Sequence, residues 1–157
     1  MRIAIASDHG GFELKNEIKK YLEEQKSSGN PIDETGEKIE EIIDLGTDSE
    51  ESVDYPEYGK KCAEAVTGGA ADRGIVVCGT GIGISIAGNK VRGARCALCT
   101  SVHMAEMTRR HNDANMLALG GRTTEKELAL EIVEMWLKTP FEGGRHQRRV
   151  DMLNRMG

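Results

Sequence analysis

The stretch Gly74-Ile75-Val76-Val77-Cys78-Gly79-Thr80-Gly81-Ile82-Gly83 lies near the middle of the chain, and it decides the fold. Its first half is a short apolar run that is typical of a buried β-strand, and this run ends at a cysteine. Its second half places three glycines within five residues, and residues 84–90 then have the composition of a helix start. The stretch therefore predicts a strand, a tight turn and a helix.

The glycine-rich turn also predicts chemistry. Glycine lets the backbone approach a ligand closely, and successive N–H groups at a helix N-terminus form a pocket for oxyanions. Positive backbone potential favours a thiolate, so Cys78 is a candidate base or nucleophile. The alternative is a structural turn after a buried cysteine, because free cysteine is among the most often buried residues. The segment alone leaves both interpretations open.

The same strand-and-helix alternation extends over the whole chain. Apolar runs at residues 3–7, 41–45, 75–78, 94–99 and 116–119 predict five strands. Helical spacing of apolar residues predicts helices over residues 12–25, after Pro56, after Ser101 and over 145–156. Thr124 and Glu127 have the spacing of a capping box that opens a further helix with Leu128 on its buried side. The pattern predicts an α/β fold, a three-layer α/β/α domain with a five-stranded parallel Rossmann-like sheet over residues 1–157.

Composition limits the classes of partner. The 157 residues carry a net charge of -5 with no basic face, which argues against nucleic acid and against anionic membranes. No apolar run approaches the ~20 residues of a membrane-spanning helix, and the first residues lack the form of a signal peptide. Four cysteines fit a reducing compartment, so we expect a cytoplasmic protein. Cys96 and Cys99 have C-x-x-C spacing, but a strand would point them to opposite faces, which disfavours a metal or redox role.

The predicted topology brings polar residues together. The carboxyl ends of parallel strands meet at one edge, so Asp8, His9 and Tyr55 should lie beside the Cys78 turn. His111 and Asn112 precede the fifth strand and would need a packing partner or a second subunit to reach that edge. For His9 and His111, a structural hydrogen-bonding role is the open alternative.

Charged residues near the C-terminus allow two interpretations. Arg145 and Arg149 lie one helical turn apart and could grip a phosphate dianion with two guanidinium groups. The alternative is an exposed helical surface, which is the usual role of charged runs. His103 and His146 are interpreted in that second way.

Six motifs run in order over nearly the whole chain: Ser7-Asp8-His9-Gly10-Gly11, Asp54-Tyr55-Pro56, Cys78-Gly79-Thr80-Gly81-Ile82-Gly83, His111-Asn112-Asp113-Ala114-Asn115, Gly120-Gly121-Arg122 and Gly143-Gly144-Arg145-His146-Gln147-Arg148-Arg149. Together they resemble the ribose-5-phosphate isomerase B family, which also includes allose- and galactose-6-phosphate isomerases. The polar segment at residues 26–38 is a departure from the family pattern, and we expect it to be a surface excursion far from the motifs.

The resemblance implies an aldose–ketose isomerase of pentose phosphate metabolism that uses no metal and no cofactor. It implies a homodimer, often paired into tetramers, with each site built from two subunits and the helix at about 145–156 packed on a partner. By resemblance, Cys78 is the catalytic base and His111 opens the sugar ring. The other residues predicted at the site are Thr80 as catalytic and, for substrate binding, Asp8, His9, Tyr55, Gly79, Gly81, Gly83, Asn112, Arg122, Arg145 and Arg149.

These observations predict interconversion of ribose 5-phosphate and ribulose 5-phosphate through an enediol. The nearest alternative is the same reaction on allose or galactose 6-phosphate. An alternative of another class is a non-catalytic sugar-phosphate sensor, although a sensor needs neither Cys78 nor His111. A nucleotide binder is disfavoured, because the glycine spacing differs from G-x-G-x-x-G and follows the third strand.

Overall fold

The computed structural model describes residues 1–157, and it contains five strands and six α-helices. The strands are β1 (Arg2–Ser7), β2 (Glu41–Asp44), β3 (Arg73–Cys78), β4 (Cys96–Leu98) and β5 (Met116–Gly120). The helices are α1 (Phe12–Ser28), α2 (Tyr55–Thr67), α3 (Ile82–Asn89), α4 (Val102–Asn112), α5 (Lys126–Lys138) and α6 (Arg145–Arg155). A short 3-10 turn over His9–Gly11 joins β1 to α1.

The five strands form one parallel sheet in the order β2-β1-β3-β5-β4. The register pairs Ser7 with Val77 and Cys78 with Gly120. β1 and β3 are neighbours, and the helices that follow them lie on opposite faces of the sheet. A crevice therefore opens between the carboxyl ends of β1 and β3, which is where parallel sheets of this type bind ligands.

Two apolar clusters cover the two faces of the sheet. On one face, side chains of α1, α4 and α5, including the fully buried Ile18 and Trp136, pack on Ile3, Ile5 and Leu117. On the other face, α2 and α3 pack on the alternate side chains of the same strands, such as Val76 and Ala118. This arrangement confirms the predicted three-layer α/β/α fold.

Lys15 of α1 is buried to 1% exposure, although it lies in a run of charged residues. Its ammonium group pairs with the Asp44 carboxylate at 2.8 Å and also donates to the Thr47 carbonyl. Burial disfavours the charged form of Asp44, but hydrogen bonds from Lys15, Gly46 and Lys19 outweigh it and lower the pKa of the carboxyl. This ion pair ties α1 to the loop that follows β2.

Three local predictions were wrong. Helix α1 extends to Ser28, because Gly29 adopts a left-handed conformation (φ 66°) and ends it there. Helix α5 begins at Lys126 with no side-chain cap, because the Thr124 N–H is bound to the Gly120 carbonyl in the preceding turn. The expected capping box is therefore not formed, and Leu128 is 36% exposed rather than buried.

None of the helices combines the length and the hydropathy that a bilayer crossing would require.

Candidate active site

Asp8 lies directly after β1 at the crevice, as the topology predicted. Its backbone N–H donates to the Val77 carbonyl at 3.2 Å, which joins the ends of β1 and β3. Its side-chain Oδ1 accepts the Gly11 N–H at 3.1 Å, and the residue is only 7% exposed. The carboxylate therefore holds the turn in shape at the floor of the crevice.

His9 is oriented by a single backbone contact. Its Nδ1 accepts the Val53 N–H at 3.1 Å, so the proton of a neutral ring must be on Nε2. The Nε2–H is then available to a ligand at the crevice. This bond also brings the loop before α2 to the carboxyl edge of the sheet.

The glycine-rich turn surrounds the sulfur of Cys78. Gly81 has a φ of 80°, and this conformation directs its N–H to the Cys78 Sγ at 3.2 Å. The Thr80 Oγ1 accepts the Ile82 N–H at 3.2 Å, which leaves the hydroxyl proton of this exposed side chain free to donate. Cys78 itself is 5% exposed, so its sulfur lies at the base of the turn and not on the open surface.

Two glycines allow other elements to approach this turn. A Cβ on Gly83 would lie 2.5 Å from Cε1 and Cζ of Tyr55, so the Tyr55 ring packs directly on the Gly83 backbone. A Cβ on Gly10 would lie 3.2 Å from the Gly79 nitrogen. These close contacts place Tyr55 and the β1 turn on either side of the Cys78 turn.

Arg122 supplies positive charge at the same place. Its N–H donates to the Gly79 carbonyl at 2.9 Å, and its Nη1 lies 3.4 Å from the position that a Cβ of Gly79 would take. Its guanidinium carbon lies equally close to the corresponding position on Gly10. The exposed guanidinium therefore borders both turns and faces solvent, where it could contact an anion.

The other cysteines have a different environment from Cys78. Burial raises the pKa of Cys62 and of Cys99 to about 12, and it raises the pKa of Cys96 further. Cys62 donates its S–H towards the Ala4 carbonyl at 3.8 Å, whereas the Cys78 sulfur accepts a backbone N–H. All four cysteines are free.

A second group of predicted residues lies at the opposite edge of the sheet. His111 and Asn112 end α4, and Asn115 just beyond them accepts the Gly74 N–H at 3.0 Å with its carbonyl, at the amino end of β3. Cys78 lies four residues further along that strand, which corresponds to about 13 Å. One chain therefore does not bring His111 or Asn112 to the Cys78 turn.

Arg145 and Arg149 belong to this second group. They lie on the first turns of α6, which packs on α4 and is tied to the amino edge by a 2.7 Å bond from Arg95 to Asn154. His146 of the same helix stacks on His111 with ring centroids 4.2 Å apart and an interplanar angle of 13°. The two arginines therefore lie on the same side of the sheet as His111 and away from Cys78. A site composed of two subunits requires this arrangement.

Sequence reasoning missed two residues of this second group. His146 was interpreted as exposed surface, yet its side chain is only 11% exposed, and Glu142 was not singled out. The Glu142 carboxylate lies 3.7 Å from Nε2 of His111 and 3.8 Å from Nε2 of His146. The i,i+4 spacing of Glu142 and His146 was the available signal, but only the fold adds His111 to the pair.

Two cavities lie away from Cys78. One of about 510 Å³ is bordered by Arg95, Asn112 and Leu153, and one of about 790 Å³ is bordered by residues 31–35 and Arg110. Residues 31–35 of the polar excursion border the same cavity as Arg110, which directly precedes His111, and no residue of the six motifs lines that cavity. The convergence of polar groups, and not cavity volume, locates the candidate site.

Comparison with known proteins agrees with this geometry. Residues 3–153 match the model of a family described as Ribose/Galactose Isomerase. Ribose-5-phosphate isomerase B of Escherichia coli is 46% identical over 152 residues, covering 97% of this chain and 93% of that protein.

Solved structures are equally similar. Ribose-5-phosphate isomerase B of Clostridium thermocellum has a TM-score of 0.87 and 54% identity, covering 98% of this chain and 95% of that one. The enzyme of Mycoplasma genitalium, solved with bound ribulose-5-phosphate, has a TM-score of 0.86 and 37% identity, covering 98% and 94%. These relatives are similar along their whole length.

Proposed function

This chain belongs to the ribose/galactose isomerase family, and we propose that it interconverts ribose 5-phosphate and ribulose 5-phosphate. The observation that carries the proposal is the Cys78 sulfur, which accepts a backbone N–H inside a turn bordered by Arg122. A structure of a relative that contains ribulose-5-phosphate supports the choice of substrate.

The reaction moves a proton between two adjacent carbons. The Cys78 thiolate takes the proton from C2 of the open-chain aldose, and an enediolate forms with its charge on O1. The same sulfur returns the proton to C1, and the proton of the O2 hydroxyl passes to the O1 oxyanion. C2 thereby becomes the ketone and C1 the hydroxymethyl group of ribulose 5-phosphate. A single base of moderate strength suffices for both transfers.

The glycine-rich turn would stabilise the charge that develops. The N–H groups of Gly81 and Ile82 are bound to Cys78 Sγ and Thr80 Oγ1. The donors left near the sulfur are the N–H groups of Gly79, Thr80 and Gly83 and the free hydroxyl proton of Thr80. Fixed donors aimed at an enediolate oxygen need no reorganisation during the reaction, so this stabilisation is usually the largest contribution. His9 and Asp8 would bind the sugar hydroxyls, and Tyr55 would form the wall of the pocket.

We propose that a second copy of the chain completes each site. His111, which would protonate and deprotonate the ring oxygens to open the sugar, lies with Asn112, Arg145 and Arg149 at the wrong edge for Cys78 of its own chain. α6 exposes Met152 and Leu153, Met156 is exposed just beyond its end, and α3 exposes Ile82 and Ile86 beside the turn. Exposed apolar side chains at α6 and at α3 support a homodimer in which α6 of one subunit packs near the Cys78 turn of the other. Further pairing into a tetramer stays a prediction.

The thiol gives the direct test of this function. Replacing the base in Cys78→Ala should lower kcat by about 10²–10⁴-fold with ribose 5-phosphate. The matched control is Cys62→Ala, which removes a buried thiol of α2 that no substrate touches and should keep kcat near that of the wild type. Full turnover by Cys78→Ala would refute the mechanism.

A six-carbon substrate is the second candidate, because the family description names both ribose and galactose. Comparing kcat/KM for ribose 5-phosphate, allose 6-phosphate and galactose 6-phosphate distinguishes the five-carbon from the six-carbon substrate. Binding of sugar phosphate without turnover on any of these would instead indicate a sensor. The cytoplasmic location stays a prediction, supported by four cysteines that are all free.

A further inference from the structure

The cluster of His111, Glu142 and His146 has the donor set of a transition-metal site. One nitrogen from each histidine and one carboxylate oxygen lie within 4.8 Å of one another. Two histidines with one glutamate are the protein ligands of many zinc sites that keep a fourth position open. No assigned role of these three residues includes a metal.

The distances are close to those of a bound ion. With bonds of ~2.0–2.2 Å, ligand atoms of a tetrahedral zinc site lie roughly 3.3–3.5 Å apart. The two nitrogen-to-oxygen distances are 3.7 and 3.8 Å, so these pairs need to move only slightly. The stacked rings must rotate to aim both lone pairs at one point, and His111, at 41% exposure, has the space to do so.

The backbone holds the three residues together before any ion binds. The Glu142 N–H donates to the Arg110 carbonyl at 3.1 Å, next to His111, and Glu142 lies four residues before His146 across the Gly143-Gly144 turn that opens α6. Arg145 and Arg149 on the same helix as His146 repel a cation, which weakens binding and makes it reversible.

We propose that His111, Glu142 and His146 bind a divalent transition-metal ion of the zinc type, and that this ion inhibits the isomerase. The inhibition rests on the proposed function, since the ion would occupy the His111 lone pair that opens the sugar ring. It would act as a reversible inhibitor and not as a cofactor.

Binding is tested on the full-length protein with Zn²⁺ in equilibrium dialysis and with Co²⁺ in absorption spectroscopy. We expect one ion per chain and a Co²⁺ spectrum without the thiolate charge-transfer band. His146→Gln and Glu142→Gln should each weaken binding at least about tenfold. The matched control His103→Gln removes a histidine at the other end of α4 and should leave the affinity unchanged. A thiolate band, or unchanged affinity in both cluster variants, would overturn the site.

Inhibition is tested separately with ribose 5-phosphate. Zn²⁺ should abolish turnover by the wild type, a chelator should restore it, and His146→Gln should need at least about tenfold more Zn²⁺ for half inhibition of its own activity. Binding without inhibition would overturn the inhibitory role. Absence of isomerase activity with Zn²⁺ binding intact would refute the proposed function and not the metal site.

Discussion

A composite site makes a quantitative prediction about mixed dimers. Asn115, just beyond His111, meets β3 at Gly74, which is about 13 Å along the strand from Cys78. In the proposed composite site, each site therefore takes one of these two residues from each subunit. In a dimer of one Cys78→Ala and one His111→Asn subunit, one site then carries both substitutions and the other carries neither. The purified heterodimer should therefore show about half of the wild-type kcat per dimer, although each parent homodimer is nearly inactive.

The control places both substitutions in one subunit and pairs it with a wild-type subunit. Each composite site then carries one substitution, and we expect this heterodimer to be nearly inactive. Co-expression with two different affinity tags and tandem purification yields both species for a coupled isomerase assay. If each site instead lay within one chain, the two results would be exchanged, and that outcome would refute the composite site.

Three further predictions concern the fold around the site. Asp44→Asn should lower the free energy of unfolding by about 3–5 kcal/mol in urea titrations because it leaves the buried Lys15 charge unpaired, whereas the exposed control Asp72→Asn should cost less than about 1 kcal/mol. The pKa of Asp44 is lowered, so its stabilisation is present above the ordinary value of 3.8 and is lost as pH falls through the native value. The difference in free energy of unfolding between wild type and Asp44→Asn should therefore shrink in acid. A difference that stays constant with pH would contradict this. Gly81→Ala should lower activity and should lower the free energy of unfolding by about 1–3 kcal/mol. The reason is that Gly81 has a φ of 80° and that a Cβ there would lie 2.6 Å from Leu98 Cδ1. The control Gly69→Ala has a φ of 86° with nothing within 4 Å, so only the strain applies, and equal losses in both variants would show that the close contact is unimportant.

Local pattern predicted much of the fold because strands and helices differ in the period of their apolar residues. The run before Cys78 became β3, and the glycines after it became the turn in which Gly81 adopts a positive φ. Parallel strands share a carboxyl edge, so the meeting of Asp8, His9 and Tyr55 with that turn also followed from the sequence.

Competing local hydrogen bonds were less predictable. Thr124 and Glu127 have the spacing of a capping box, but the Gly120 carbonyl accepts the Thr124 N–H and delays the start of α5. Lys15 lies in a charged run that is typical of an exposed helix face. Only the packing of the loop after β2 places its buried ammonium group against Asp44 and Thr47.

The sequence by itself determined the alternation of elements, the parallel sheet and the residues gathered at its carboxyl edge, since each depends on neighbours within a few positions. Only the tertiary structure decided that His111 stacks on His146 beside Glu142, far from Cys78 of the same chain. That contact joins the end of α4 to the start of α6, and the direction in which α6 packs depends on long-range contacts such as Arg95 with Asn154. No local pattern encodes such contacts, because they depend on the summed packing of the whole chain.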